Sequence, residues 1–469
     1  MQVILLVSKI VFYYYDRYDP KSLPKIVVEP PGPKSREIIE RDRELLMQSF
    51  VRWYPLVAKS GYGVVIEDFD GNLFVDLNSG IAVMNVGHSH PRIVKAVEEQ
   101  VRKLIHYSLT DFYYEEVVEY SESLSRILPI PGKKKFFFGN SGAEAVEAAM
   151  KISKGCAGGK RPYIMAFIGS FHGRTHGAMS LTASKPAQRK GFQPLLPGII
   201  HVPYPYPYRC PFHADPDECG DAVIGFIEEW IFKRMVDPTE VAAVFIEPIQ
   251  GEGGYVVPPD DFLPKLRKLT RDNGILLVAD EVQSGFGRTG KWFAVENWGV
   301  SPDLITMAKA VASGIPLGVV GGREEVMNLP PGSHASTFGG NPVALKAGTE
   351  VIKIIEGEKL LENAERVGSY VLKRAKEWMD HYEIVGDVRG KGLMIGIELV
   401  RDRKTKEYAK KELESFLTKC FKKGVAVIGA GFSAIRIAPP LVISQEIMER
   451  SMDIMEDVLK EVMREHSIA

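Results

Sequence analysis

Five short apolar runs, each closed by turn residues and followed by polar ones, constrain this chain most. They span residues 135–138, 163–168, 242–246, 275–279 and 317–320. Runs that are short and apolar throughout read as strands buried on both faces of a mainly parallel sheet. Helical stretches at 143–154 and 262–273 lie between several of them. Such alternation predicts an α/β domain with helices on both faces of the sheet. Polar residues gather after the runs, at Gly139-Asn140-Ser141, 169–174, 247–252 and 280–283. Ligands of open α/β sheets bind outside the carboxyl ends of the strands. Packing alone does not call for four polar clusters there.

The chain has 469 residues, enough for two or three folding units of roughly 100–200 residues each. Residues 24–34 are proline-rich and read as an extended arm, and 36–49 as a helix. Residues 63–76 alternate around Asp70-Gly71-Asn72, as in a hairpin. A long helical stretch, 342–382, precedes short strands with helices, a separate C-terminal α+β unit. The expected division is 1–85, an N-terminal arm with part of a small domain; 86–345, the large domain; and 346–469, the C-terminal small domain. A net charge of -1 without a polybasic run points to neither nucleic acid nor a membrane surface. Four cysteines fit a reducing compartment. Cys210, His213 and Cys219 share one loop-like stretch, open to a metal, a local disulfide or plain thiols. The apolar start, MQVILLVSKIVFYYYD, has no basic n-region or cleavage site and is too short to span a bilayer. It reads as a packed arm or a misplaced start codon, and the protein as cytoplasmic.

Three segments carry chemistry. In Gly139-Asn140-Ser141-Gly142-Ala143-Glu144 a strand ends, a helix begins, and Ser141 and Glu144 have capping-box spacing. The free N–H groups of that first turn suit a phosphate, or the segment is simply a capped helix. The run 275–279 delivers Asp280 to its carboxyl end, where a carboxylate can pair with a protonated ring nitrogen or remain an ordinary loop acid. In Thr306-Met307-Ala308-Lys309-Ala310, Lys309 sits among apolar and small residues, a setting that suits a Schiff-base nucleophile although most lysines are solvated. A phosphate cradle, a ring-nitrogen acid and a Schiff-base lysine together are what pyridoxal 5'-phosphate requires.

The order of these motifs resembles the class III aminotransferases among the fold-type-I pyridoxal-phosphate enzymes, with the 4-aminobutyrate and ornithine branch most similar. The resemblance rests on GIAVMNVGHSHP, FFGNSGAEAVEAAMK, SFHGRTHGAMSLT, IEPIQGEGGY, LVADEVQSGFGRTG, MAKA and STFGGNP, spread over most of the chain. It implies a large cofactor-binding domain and a smaller α+β domain assembled from the N- and C-terminal parts. It implies that Lys309 bonds the cofactor and shuttles a proton, and that Asp280 keeps the ring nitrogen charged. Val282 and Phe171 then cover the two ring faces, and Gln283 bonds the phenolic oxygen. Ser141, Gly142 and Ala143 hold the phosphate, and His172 joins the cofactor-binding set. Thr337 reaches the phosphate of a neighbouring subunit, so a homodimer or larger homo-oligomer with shared sites is implied. No metal is called for.

For the substrate, the resemblance gives Arg174 a distal carboxylate, Arg436 an α-carboxylate, Glu252 the role of Arg436's partner when the substrate lacks that group, and Ile81 a place on the wall. Physically, a buried Arg436 needs an anion at all times. Arg174 as a solvated loop residue, and Glu252 with Arg436 as a structural pair, are the plainer readings. Glu247 reads as a supporting or structural residue; His88 and His90 as hydrogen-bonding loop histidines. Residues 285–290 superficially match a dinucleotide loop, but no helix with a ribose-binding acid follows. The activity implied is transfer of an amino group from an ω-amino acid to 2-oxoglutarate. Racemisation of alanine, serine or leucine on the same scaffold is the alternative, since both reactions begin by removing the same proton. A fold relative kept only for binding is the remaining class, opposed by the presence of Lys309, Asp280 and the phosphate loop.

Overall fold

The computed structural model describes residues 17–466; the expectations for the apolar start of the chain lie outside them. Close contacts divide the chain into one unit spanning Ala96–Leu361 and another made of residues up to Lys95 together with Glu362 onward.

The first unit is built on a seven-stranded sheet: β1 (Lys134–Gly139), β2 (Tyr163–Phe167), β3 (Ile199–Val202), β4 (Val241–Ile246), β5 (Leu276–Asp280), β6 (Leu304–Met307) and β7 (Gly318–Arg323). Their order is β1-β7-β6-β5-β4-β2-β3. Neighbours are parallel except that β7 runs antiparallel to both β1 and β6. The carboxyl ends of the other strands therefore share one edge. All of β4 is buried, which is why it reads as an unbroken apolar run. The helix α1 (Gly142–Cys156) lays Ala145, Val146, Ala149 and Ile152 against Ile164, Phe245, Val278 and Leu304. Its alanines let the helix axis approach the sheet closely, so the turn before it is held rigidly at the strand ends.

β3 and β6 are not evident in the sequence. Each has only four residues, and His201 and Thr306 interrupt their apolar pattern. The stretch 342–382 is not one helix but two, Pro342–Gly357 and Leu360–His381. Lys359 between them has φ +54°, a left-handed conformation that ends a helix.

The second unit holds two four-stranded sheets. One contains the expected hairpin, Val65–Asp68 with Leu73–Asp76. Asp68 Oδ1 accepts the N–H groups of Asp70 at 2.9 Å and Asn72 at 2.8 Å, and Gly71 supplies φ +90°, so the turn is locally encoded. Asn72 Oδ1 accepts from Val27 and Val28 and so fastens the proline-rich arm. The helix expected over 36–49 is Pro33–Leu45. Its start is set from a distance, by the Asp70 carboxylate accepting from Lys34 and Ser35. A C-terminal strand, Val425–Ala426, completes this sheet beside Val75 and Asp76. In the other sheet, Ala434–Ile437 carries Arg436, paired with Gly396 and Ile428. No helix among the described residues is long and apolar enough to cross a membrane.

Candidate active site

The three chemical segments converge at the shared edge of the seven-stranded sheet. Ser141 caps α1, its Oγ accepting the N–H of Glu144 at 3.2 Å. Gly142 and Ala143 are the first helical residues, whose N–H groups have no acceptor within the helix. A Cβ added to Gly142 would lie 3.0 Å from Val282 Cγ1 and 3.5 Å from Ala308 Cβ. The helix start, the residue after Glu281 and the residue before Lys309 are thus one cluster. A side chain at 142 would require Val282 to give way.

Asp280 is the last residue of β5, in register with Thr306 of β6, three positions before Lys309. Its Oδ1 accepts the N–H of Val282 at 3.1 Å, and its Oδ2 lies 2.7 Å from His172 Nδ1. Both side chains are buried. Burial opposes a charge on His172, but the hydrogen bond and charge of Asp280, and then Glu247, outweigh it and raise the imidazole's pKa. His172 Nε2 is buried with no hydrogen-bond partner among the described residues.

Lys309 opens a 3-10 turn with φ +52°, an uncommon conformation for a side chain of this size and one that concentrates at functional positions. Its neighbours Ala308 and Ala310 are buried, while Lys309 itself is half-buried.

The loop after β2 holds Phe171, half-buried, and Arg174, exposed, with the guanidinium carbon 5.3 Å from the Phe171 ring centre. A Cβ on Gly173, which has φ +137°, would come within 2.7 Å of Ala143 Cβ, so this loop packs on the start of α1. After β4, Glu252 lies 3.6 Å from Lys185 Nζ. Nothing in the motif pattern singles out Lys185, because the pair joins residues far apart in sequence. Tyr255 donates to Gln283 Oε1 at 2.8 Å and orients that amide; it too is missed by sequence reasoning. Thr337 is exposed, beside Ser336, whose Oγ accepts from Asn140 Nδ2 at 2.9 Å. Ile81 and Arg436 belong to the other unit. Ile81 is exposed with φ +69°, and Arg436 is buried.

Elsewhere, His88 Nε2 lies 2.7 Å from Asp76 and His90 Nδ1 accepts from the N–H of Arg92. All four cysteines are free thiols. Burial, and then contact with Cys210, push Cys219 up to about 12. No group of metal-binding side chains occurs among the described residues.

The donor set fits pyridoxal phosphate: a helix start for a phosphate, a buried carboxylate for a ring nitrogen, a side-chain amide, and a lysine next in the chain to Ala308, which packs at that helix start. Glycine at 142, whose added Cβ would press on Val282 and Ala308, keeps the start of this helix accessible at its backbone, as a phosphate cradle needs.

The comparisons agree. The chain is 44% identical to the alanine/serine racemase of Pyrococcus horikoshii, over 94% of this chain and 93% of the relative. It is 40% identical to a 4-aminobutyrate aminotransferase of Mycobacterium leprae, over 93% and 98%. Among solved structures it is similar to a thermostable (S)-enantioselective omega-transaminase from Thermomicrobium roseum, with TM-score 0.85 and 32% identity over 91% of this chain and 98% of that one. The family described as aminotransferase class-III matches residues 48–459. With that match over nearly the whole length, the chain belongs to the class-III aminotransferases, which are pyridoxal-phosphate-dependent enzymes.

Proposed function

We propose that this enzyme transfers the amino group of an ω-amino acid of the 4-aminobutyrate or ornithine kind to 2-oxoglutarate, in two half-reactions at one site. The observation that carries this reading is Arg174 held over the Phe171 ring, one residue beyond Gly173 and two beyond His172. A guanidinium so near the reactive corner suits a substrate with a carboxylate distant from its amine. Bound pyridoxal phosphate supplies an aldehyde for the amine and a ring that withdraws electrons.

The chain's own residues do the rest. Lys309 presents the amine and moves the proton at the substrate carbon. Asp280, backed by His172, keeps a negative charge in a buried place and so favours a cationic partner. The start of α1, at Ser141, Gly142 and Ala143, binds the phosphate. Phe171 and Val282 confine a flat ring, and Gln283 donates to its oxygen. Arg436 takes the α-carboxylate of glutamate, Glu252 replaces that anion for ω-amines, and Ile81 lines the wall. Thr337 acts on the site of a second copy, in a cytoplasmic homodimer or larger homo-oligomer.

The test is to mix the cofactor-loaded protein with 4-aminobutyrate or ornithine and 2-oxoglutarate and to measure glutamate. Its absence with every ω-amine tried removes the reading. Similarity to the alanine/serine racemase favours a second reading, interconversion of the two hands of a small amino acid. D-Alanine or D-serine formed from the L form without any oxo acid selects it.

A further inference from the structure

We infer that Glu247 is a positioning residue of this site: its carboxylate clamps the loop that carries Phe171 and His172 to the loop that carries Gly251 and Glu252. The side chains that face the cofactor and those that face the substrate are thereby held as one body.

Glu247 follows the last residue of β4 and is buried. Each oxygen serves a different loop. Oε2 accepts the N–H of Phe171 at 2.9 Å, and Oε1 accepts the N–H of Gly251 at 3.1 Å. The loops follow neighbouring strands, β2 and β4, and meet closely. Gln250 Nε2 donates to Ile168 O at 3.0 Å and Ser170 Oγ at 3.1 Å. A Cβ on Gly169, which has φ +90°, would lie 2.5 Å from Gln250 Oε1, so a side chain there would displace the Gln250 amide. Tyr204, beyond β3, ties down the backbone of the clamp by donating to the carbonyls of Glu247 and Pro248.

Such a clamp depends on charge. An ionised carboxylate accepts fully on both oxygens, whereas protonation turns one of them into a donor. The groups facing Glu247 are His172 on the first loop, Asp280 at the end of β5 and the Tyr204 hydroxyl. Burial above all raises the Glu247 carboxyl to about 7; His172 opposes this, Asp280 adds to it, and the Phe171 and Gly251 N–H groups oppose it. The clamp therefore tightens as pH rises through about 7.

The functional consequence rests on the cofactor-enzyme reading but not on the choice of donor. The test is amide hydrogen exchange at Phe171 and Gly251 in the holoenzyme, corrected for intrinsic rates, at pH values on either side of neutrality. The expected result is slower exchange on the alkaline side. In Glu247→Gln an NH2 donor replaces one of the two oxygens, so protection falls by roughly tenfold or more at whichever of the Phe171 and Gly251 amides then faces it, and the pH effect disappears. Glu247→Asp restores part of it. The acid limb of kcat/KM near neutrality in the natural enzyme is expected to vanish in the Gln variant. Equal protection in the natural protein and Glu247→Gln overturns the inference. If Glu247→Gln does not fold, exchange in the natural protein that is unchanged across neutral pH overturns it equally. Exchange needs no turnover, so a wrong donor or a racemase outcome leaves this result separate.

Discussion

His172 Nδ1 and Asp280 Oδ2 are 2.7 Å apart with both side chains buried, so the acid at the end of β5 is held by a residue from the loop after β2. The pairing fixes the Asp280 carboxylate and raises the imidazole's pKa. Asp280→Asn preserves shape and removes the charge. Removing one electrostatic partner of the reacting group typically costs about 10²–10³ in rate, so kcat/KM is expected to fall by roughly that much. Because the His172 pKa is raised on folding, its contribution to stability is complete below the ordinary histidine value and is lost as pH rises through the raised one. Thermal unfolding of the cofactor-free protein should show that loss, and Asp280→Asn should abolish it. An Asn variant with full activity would remove Asp280 from the chemistry.

Glu281, next along the chain, titrates for a different reason. It is buried, and burial raises it to about 7 against the opposing hydrogen bonds from Ser284 and from the Val295 and Ala294 backbone. Its folded pKa exceeds its unfolded one, so the folded state binds more protons and stability falls as pH rises from the ordinary glutamate range through about 7. Glu281→Gln should flatten the stability profile between mildly acid and mildly alkaline pH by about 2 kcal/mol. Denaturant unfolding across that range measures it, and parallel profiles for the two proteins would contradict the assignment.

What the sequence made legible was whatever is encoded over a few residues. The buried strand at 241–246, the cap at Ser141 and the turn at Gly71 each depend on near neighbours. The order of motifs was enough to bring Asp280, Lys309 and the start of α1 to one sheet edge. What stayed hidden depends on contacts between distant segments: Lys185 beside Glu252, Tyr255 on Gln283, Asp70 capping the helix at Pro33 and Glu247 joining two loops. Four-residue strands such as Leu304–Met307 fail for another reason, since polar Thr306 interrupts an already short pattern and only the neighbouring strands secure it.

Lys185 is the hidden residue most open to test. Its amine lies 3.6 Å from a half-buried Glu252, and a pair this accessible is worth only about 0–1 kcal/mol to stability. Its effect should appear in recognition instead. Lys185→Met is expected to leave the unfolding temperature nearly unchanged and to alter KM for the amino donor by roughly three- to tenfold, the signature of lost ground-state binding. A variant with unchanged KM for every donor would make Lys185 a bystander.

The large unit also presents an unusual aromatic surface. Tyr113 is 100% exposed and Phe338 is 61% exposed. Around them Tyr107 packs on Phe112, with ring centres 4.3 Å apart, and His106 packs on Phe338 at 5.1 Å. Thr110 donates to the Ser336 carbonyl, which ties this surface to the segment bearing Thr337. Clustered exposed aromatic rings mark interaction surfaces, and the proposed role of Thr337 calls for a second copy of the chain as the occupant. Light scattering of the natural protein should therefore give twice the chain mass or more. Tyr113→Glu together with Phe338→Glu should shift it to the monomer, and on the proposed shared-site reading activity should fall in the same concentration range. A natural protein that is monomeric and fully active would end the shared-site reading, since Thr337 would then have no second site to serve.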